Sequence, residues 1–413
     1  IVKKEEDIMK KFNKVLSVAV ASAMVMAMAG CGNTDNGSAA TGTNAATESA
    51  AASDSAASGS VFKIGGIGPT TGGAAVYGLA VQHGAEIAVE EINAAGGING
   101  YQVEFKFQDD EADAEKSVNA YNALKDWGAQ IIDGSTTSGA CIAVTDKTKE
   151  DNMFQITPSG SAVECVQYDN NFRVCFSDPN QGLASAQYIG ENGLAEKIAV
   201  IYDSSDVYSS GIYEKFAKEA ENQPFEIVAA EAFTADNKTD FSVQLQKAKD
   251  AGADMVFLPI YYQESALILT QAAAMGYAPK WFSCDGMDGI LGGVDNFDVS
   301  LTEGVMLLTP FAADATDDLT QSFVTKYKEK YGDTPNQFAA DSYDAIYVIK
   351  AAIEKSGVTP DMSVSDICDG MKAAMTEITV DGLTGSGMTW TADGEANKAP
   401  KAVVIENGAY KAM

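Results

Sequence analysis

Three groups of residues in this chain have the types and spacing to do chemistry. The first is a pair of hydroxyl-rich loops, Ser135 to Ser138 and Ser159 to Ser161, each directly after a short apolar run, Gln130 to Asp133 and Met153 to Thr157. Hydroxyls beside the unpaired N–H groups of a helix start are what an anionic carboxylate needs. In open α/β sheets, ligands sit beyond the carboxyl ends of the strands. Helix capping would put serine in the same places, so the residues alone leave both readings open. The second group is Asp285 and Asp288 on a glycine-rich loop. It lacks the longer acid series and terminal Glu of a calcium loop, which leaves a turn or a carboxylate aimed into a cleft to receive a cation. The third is Gly65 to Gly73, between a strand and a helix like a phosphate loop. It has neither the P-loop lysine nor the dinucleotide glycine spacing and reads as a turn close to a ligand.

Composition narrows the chemistry further. His83 is the single histidine, so a Ser/His/Asp triad is excluded unless His83 serves, and a multi-histidine metal site is excluded outright. It has no second His and no Cys within a helical turn and reads as a packed or surface residue. The 413 residues carry 28 Lys+Arg against 58 Asp+Glu, a net charge of −30. Phosphate backbones and anionic lipid repel such a chain, so no nucleic-acid partner is expected. A hydrophobic share of 46% argues against general disorder. No metal and no cofactor is expected.

The N-terminal segment reads as an address. Lys10, Lys11 and Lys14 precede an apolar run from Val15 to Ala29, which ends at Gly30-Cys31. That is a secretory signal, too short for a membrane span of about 20 residues. Residues 1–8 read as sequence upstream of a start at Met9. Residues 32–60 contain no aromatic and no large aliphatic side chain, so burial cannot offset chain entropy. As a flexible tether they would span roughly 30 Å. Export permits disulfides. Of the cysteines after Cys31, Cys165 with Cys175 is a possible bridge across a short loop, while Cys141, Cys284 and Cys368 read as unpaired. No CxxC occurs, so zinc ribbons and thioredoxin chemistry have no support.

From Val61 onward, short β-rich runs alternate with amphipathic segments, the pattern of βαβ units on a mainly parallel sheet. Phe62 to Ile67 reads as a strand, followed by a helix from about Tyr77 to Ala95 with Val81, Ala85, Ala88 and Ile92 on one face. Strands follow at Val103 to Phe107, Gln130 to Asp133 and Met153 to Thr157. A second series starts after Asp178, with strands at Ile198 to Tyr202, Glu226 to Ala230 and Met255 to Ile260. Segments 318–331 and 338–356 read as helices and Ala402 to Ile405 as a strand. Two α/β lobes are expected, joined by several short crossovers.

These residues resemble a known family, the two-lobed solute-binding proteins of ABC importers, in particular the leucine/isoleucine/valine-binding group. The resemblance covers 61–413. It rests on Ile64-Gly65 to Tyr77-Gly78, on the run Glu91 to Gly100 (EINAAGGING), on Phe172-Arg173-Val174, on Asp178 and Gln181-Gly182, and on the lipobox-like ending Met28-Ala29-Gly30-Cys31. It implies an α/β fold of two Rossmann-like lobes of the periplasmic binding protein type I, the Venus-flytrap arrangement. The expected division is 1–31 signal peptide with Cys31 lipidated, 32–60 tether, 61–178 plus about 309–387 lobe one, and 179–308 plus about 388–413 lobe two.

By the same resemblance, the ligand carboxylate is met at Ser138 and on the turn Ser159 to Ser161. The ammonium is met at Asp285, where several members carry Glu, and Tyr77, Tyr208 and Tyr261 line the cleft. Val207 is an extra residue before Tyr208 relative to the family pattern, and Cys141 lacks the partner of the family's early disulfide. The implied protein is a non-enzymatic, monomeric receptor, lipid-anchored on the outer face of the cytoplasmic membrane. It captures a branched-chain or other neutral amino acid and delivers it to an ABC permease. An amide or aromatic acid as ligand, a sensory role, and an enzyme using Asp285 or Cys284 as nucleophile are the alternatives.

Overall fold

The computed structural model describes residues 59–413. The signal segment, Cys31 and nearly all of the tether lie outside the described residues.

The first lobe starts with β1 (Phe62–Gly68), α1 (Ala75–Ala94), β2 (Val103–Asp109), α2 (Ala114–Trp127), β3 (Ile131–Asp133), α3 (Ser138–Asp151), β4 (Phe154–Thr157) and β5 (Asn171–Arg173). Its five strands lie in the order β2-β1-β3-β4-β5, all parallel. Covered on both faces, β3 and β4 are buried at every position, as apolar runs in parallel sheets must be.

The second lobe follows with α4 (Asp178–Glu191), β6 (Lys197–Asp203), α5 (Val207–Ala220), β7 (Glu226–Phe233), α6 (Ser242–Asp250), β8 (Met255–Leu258), α7 (Tyr262–Ala274), β9 (Lys280–Ser283) and β10 (Met306–Thr309). The chain then forms three helices, α8 (Asp318–Tyr331), α9 (Gln337–Ser356) and α10 (Val364–Met375), and ends with β11 (Lys401–Glu406) and β12 (Ala409–Ala412). The second sheet runs β12-β11-β10-β9-β8-β6-β7, parallel from β10 to β7 and antiparallel at β11 and β12.

Helix α9 belongs to the first lobe although it follows the second in sequence. It packs so closely on α1 that a Cβ on Gly84 would sit 2.0 Å from the Ala339 carbonyl oxygen. Only glycine allows that approach. The EINAAGGING run builds the turn out of α1. Asn93 pairs through both side-chain atoms with the backbone of Val103 at 2.8 Å, and Gly96 and Gly97 take φ of 104° and 82°. Glu91 accepts from the hydroxyls of Tyr343 and Tyr347 on α9.

The apolar pattern does not mark α3, whose sequence SGACIAVTDKTKED is mostly small and polar, nor the short strands β5, β9, β10 and β12. The last crossover also differs from expectation. Residues from 388 onward do not turn at once into the second lobe: Met388 pairs with Val380, Trp390 Nε1 donates to the Arg173 carbonyl at 2.8 Å, and Lys398 donates to Asp341 on α9 at 2.6 Å. The chain reaches the second sheet only at Lys401. Three crossovers therefore join the lobes, at 174–177, 310–317 and 399–400.

The expected Cys165–Cys175 bridge is not formed, and the five described cysteines are free and buried. Strand β5 lies between the two residues. Cys165, on the 3-10 turn Val163–Val166, instead packs with Cys141 on α3.

Candidate functional site

Parallel strands of both sheets end at one shared cleft, and the residues just past those ends line it. Tyr77 follows β1, Ser138 follows β3, and Ser159 and Ser161 follow β4. On the other side, Tyr208 follows β6, Tyr261 follows β8 and Asp285 follows β9. All seven line a single small cavity, together with Thr136, Thr137, Gly286 and Phe338.

On the first lobe, the two serine loops are tied to each other. Ser138 Oγ accepts from the N–H groups of Ser161 and Ala162, each at 3.1 Å. With its lone pairs so engaged, its own proton remains to be donated, to Ser161 Oγ at 3.5 Å or into the cavity. Thr137 Oγ1, also lining the cavity, is buried with no partner. Ser159 differs from expectation, because its hydroxyl donates to the Thr136 carbonyl at 2.6 Å and offers only lone pairs to a ligand. Beneath the second loop lies Arg173, with no exposed surface. Its guanidinium donates to four successive carbonyls, Gly160 through Val163, and Glu395 stands 3.4 Å from its Nε.

On the second lobe, Asp285 is 5% exposed. Tyr208 Oη donates to its Oδ1 at 2.6 Å and Gln181 Nε2 to its Oδ2 at 3.0 Å. Burial outweighs these donors and pushes its pKa up to about 6. The tyrosine hydroxyls of Tyr77, Tyr208 and Tyr261 are raised by burial as well, so all three stay neutral donors. Asp178, at the first turn of α4, is buried with neither carboxylate oxygen paired. Burial first, and the charge of Asp285 among other causes, push it well above the carboxylate range.

The rings form the remaining wall. Tyr208 and Tyr261 stack with centroids 4.9 Å apart and planes 7° apart. Tyr77 contacts Tyr261 at 5.6 Å and Phe338 at 4.5 Å. Tyr77 also bridges the cleft, since its hydroxyl donates to the Gly286 carbonyl and accepts from Tyr262 N–H. Gly286 must be a glycine here, because a Cβ would lie 2.6 Å from Tyr208 Oη.

Thr137, Phe338 and the pairing of Gln181 with Asp285 carry no sequence signal of their own. Gln181 and Asp178 fall within the family-like run after Arg173, the one hint available. Asp288 lies outside the cavity lining and accepts from Gln337 N–H at 3.0 Å. His83 is also remote and stacks on Tyr331 at 3.6 Å. Among the described residues no cluster of His, Cys, Asp and Glu is arranged to hold a metal ion.

The family model described as periplasmic binding protein matches residues 61–409. A Leu/Ile/Val-binding protein homolog 3 of Brucella melitensis is 31% identical over 300 residues, 72% of this chain and 80% of its own. The leucine-, isoleucine-, valine-, threonine-, and alanine-binding protein of Pseudomonas aeruginosa is 30% identical over 302 residues, covering 71% and 78%. Among solved structures, the branched-chain amino acid transporter substrate binding protein LivJ of Streptococcus pneumoniae, in complex with isoleucine, superposes with a TM-score of 0.77. It shares 28% identity and covers 86% of this chain and 99% of its own.

Proposed function

The chain belongs to the periplasmic binding protein family, and from that premise we propose that it is the substrate-binding component of an ABC importer, capturing a branched-chain or other neutral amino acid outside the cytoplasmic membrane. One observation carries this reading: a single small cavity takes neutral O–H donors from one lobe, a buried carboxylate from the other, and an aromatic wall from both. Those are the three complements of a zwitterion with an apolar side chain. The ligand carboxylate meets the hydroxyls of Thr137, Ser138 and Ser161. The ammonium meets Asp285, with Asp178 behind it and Ser159 Oγ as an acceptor, and the aliphatic side chain packs on Tyr77, Tyr261 and Phe338.

The ligand favours the closed lobes because only closure presents both sets of partners, and the three crossovers provide the hinge. Relatives with this match are binding proteins, and no bond need be made or broken here. Cys284 is a poor nucleophile, since burial raises its thiol well above the ordinary value. Cys31 is the lipid-modified residue that holds the monomer to the membrane, near the permease that receives the ligand.

Calorimetry tests the pairing of both ligand charges. Leucine, isoleucine or valine is expected to bind, and leucinamide and 4-methylpentanoate, each lacking one charge, to bind about 100-fold more weakly or worse. Comparable affinity for 4-methylpentanoate would overturn the role of Asp285. The pH profile follows from the same carboxyl. The ammonium needs it ionised, and in the free protein it protonates at about pH 6. Affinity is therefore expected to be flat near pH 7 to 8 and to fall toward tenfold per unit below pH 6. An affinity constant from pH 7.5 to 4.5 contradicts the assignment.

A further inference from the structure

We propose that Cys141 and Cys165 are a structural pair that closes into a disulfide when the chain folds outside the cytoplasm, tying together the two loops that carry the serine hydroxyls. The two residues share one buried cluster with Ala162. Cys165 Sγ lies 3.7 Å from the carbonyl oxygen of Ser138, one turn before Cys141, and Cys141 Sγ faces the second serine loop so closely that a Cβ on Gly160 would sit 3.1 Å from it. Cys141 sits one turn after Ser138 on α3, and Cys165 sits on the 3-10 turn that follows Ser161 and Ala162. A bond here joins the two pieces of backbone whose side chains meet at Ser138 and Ser161. Cys175, beyond β5, is not a member of that cluster.

Formation breaks two S–H bonds and makes one S–S bond. The two protons and two electrons pass to the disulfide of an exported oxidant protein or of a small molecule, which is thereby reduced to two thiols. One thiolate attacks the oxidant to give a mixed disulfide, which the second thiolate then resolves. Timing matters because the thiolate is the reactive form. In the folded protein Cys141 is 0% and Cys165 1% exposed. Burial, and then the neighbouring Cys141 thiol, raise the Cys165 thiol well above its ordinary value. The bond therefore forms while the chain is still open, and the folded dithiol resists later oxidation. Its stability benefit comes from restricting the unfolded chain between 141 and 165. Any gain in ligand affinity rests on the carboxylate reading of the serine loops, whereas the bond itself does not.

Trypsin separates the three candidate thiols, since cleavage at Lys125, Lys147, Lys149, Arg173 and Lys197 puts Cys141, Cys165 and Cys175 on different peptides. The protein is purified after export without reductant, and a second sample is reduced in denaturant and refolded with oxidised glutathione. Both are blocked with an alkylating agent in denaturant and mapped. The expected result is one linked pair of peptides, 126–147 with 150–173, lost on reduction, and a Tm several degrees above that of the fully reduced protein. Five alkylated thiols in both samples, or a link that uses Cys175, overturns the proposal. Cys141→Ser and Cys165→Ser should each match the reduced wild type in Tm and no longer respond to reductant, while Cys175→Ser keeps the response. A response that survives in Cys141→Ser also overturns it. Peptide mapping does not depend on which ligand binds, so failure of the amino-acid reading leaves this result intact.

Discussion

Asp285→Asn should remove nearly all amino-acid affinity while leaving the fold almost as stable as before. In the complex both zwitterion charges are desolvated, and truncating one partner of a buried charge pair costs about 3–5 kcal/mol, which is roughly 100- to 1,000-fold or more in affinity. Asparagine keeps an acceptor for Tyr208 Oη, which holds the carboxylate at 2.6 Å, and gives up only the acceptor for Gln181 Nε2 at 3.0 Å. Leaving both buried donors unpaired is the damage an alanine would do. The free protein gains something from the change, because burial already disfavours the Asp285 charge and moves its pKa up to about 6. Calorimetry with the best-binding amino acid and a thermal melt of the same sample give the two readouts. Unchanged affinity would sink the ammonium role. A collapsed melt would mean that the residue holds the fold instead.

The alternation of strand and helix is legible because the central strands of both sheets are parallel and covered, so runs such as Met255–Leu258 are apolar at every position. Helices whose burial rests on small residues are not legible. The first turn of α3 is one, and it presents Ser138. The cavity itself is a product of topology. Tyr77 and Asp285 are 208 residues apart, and only the resemblance to a family brought them into one site. Spacing and composition left the serine loops open between capping and ligand binding; neither the helix nor the 3-10 turn that follows them is capped by a serine side chain, Ser159 is spent on the Thr136 carbonyl, and Ser138 retains a proton to donate. The run that marks the family most strongly, EINAAGGING, does not touch the cavity at all. Its asparagine and glycines build the α1–β2 turn, and its glutamate ties α1 to α9. A strong sequence signature can thus belong to the scaffold.

Arg173 was legible as part of a motif and opaque as to role, because nothing local distinguishes a strand-end arginine at the surface from one with no exposed surface. Its partners are the carbonyls of residues 160–163, ten or more positions upstream, and Glu395 more than two hundred positions downstream. Arg173→Met is expected to be the most destabilising single change at the site. Methionine fills much of the volume but donates nothing, so several buried carbonyls lose their partner at about 1–3 kcal/mol each at most, with partial relief as the turn relaxes. A net loss near 4 kcal/mol corresponds to a drop in Tm of about 10 °C. Arg173→Lys should fall between, since a point charge reaches fewer carbonyls than a planar fork. Glu395→Gln should change little, because its carboxylate is about a third exposed and such pairs contribute roughly 0–1 kcal/mol. Affinity should fall with the melt in Arg173→Met, because the Ser159 to Ser161 turn loses the group that fixes it. A variant that melts within about 2 °C of wild type and binds normally would show that the turn holds its shape without the guanidinium.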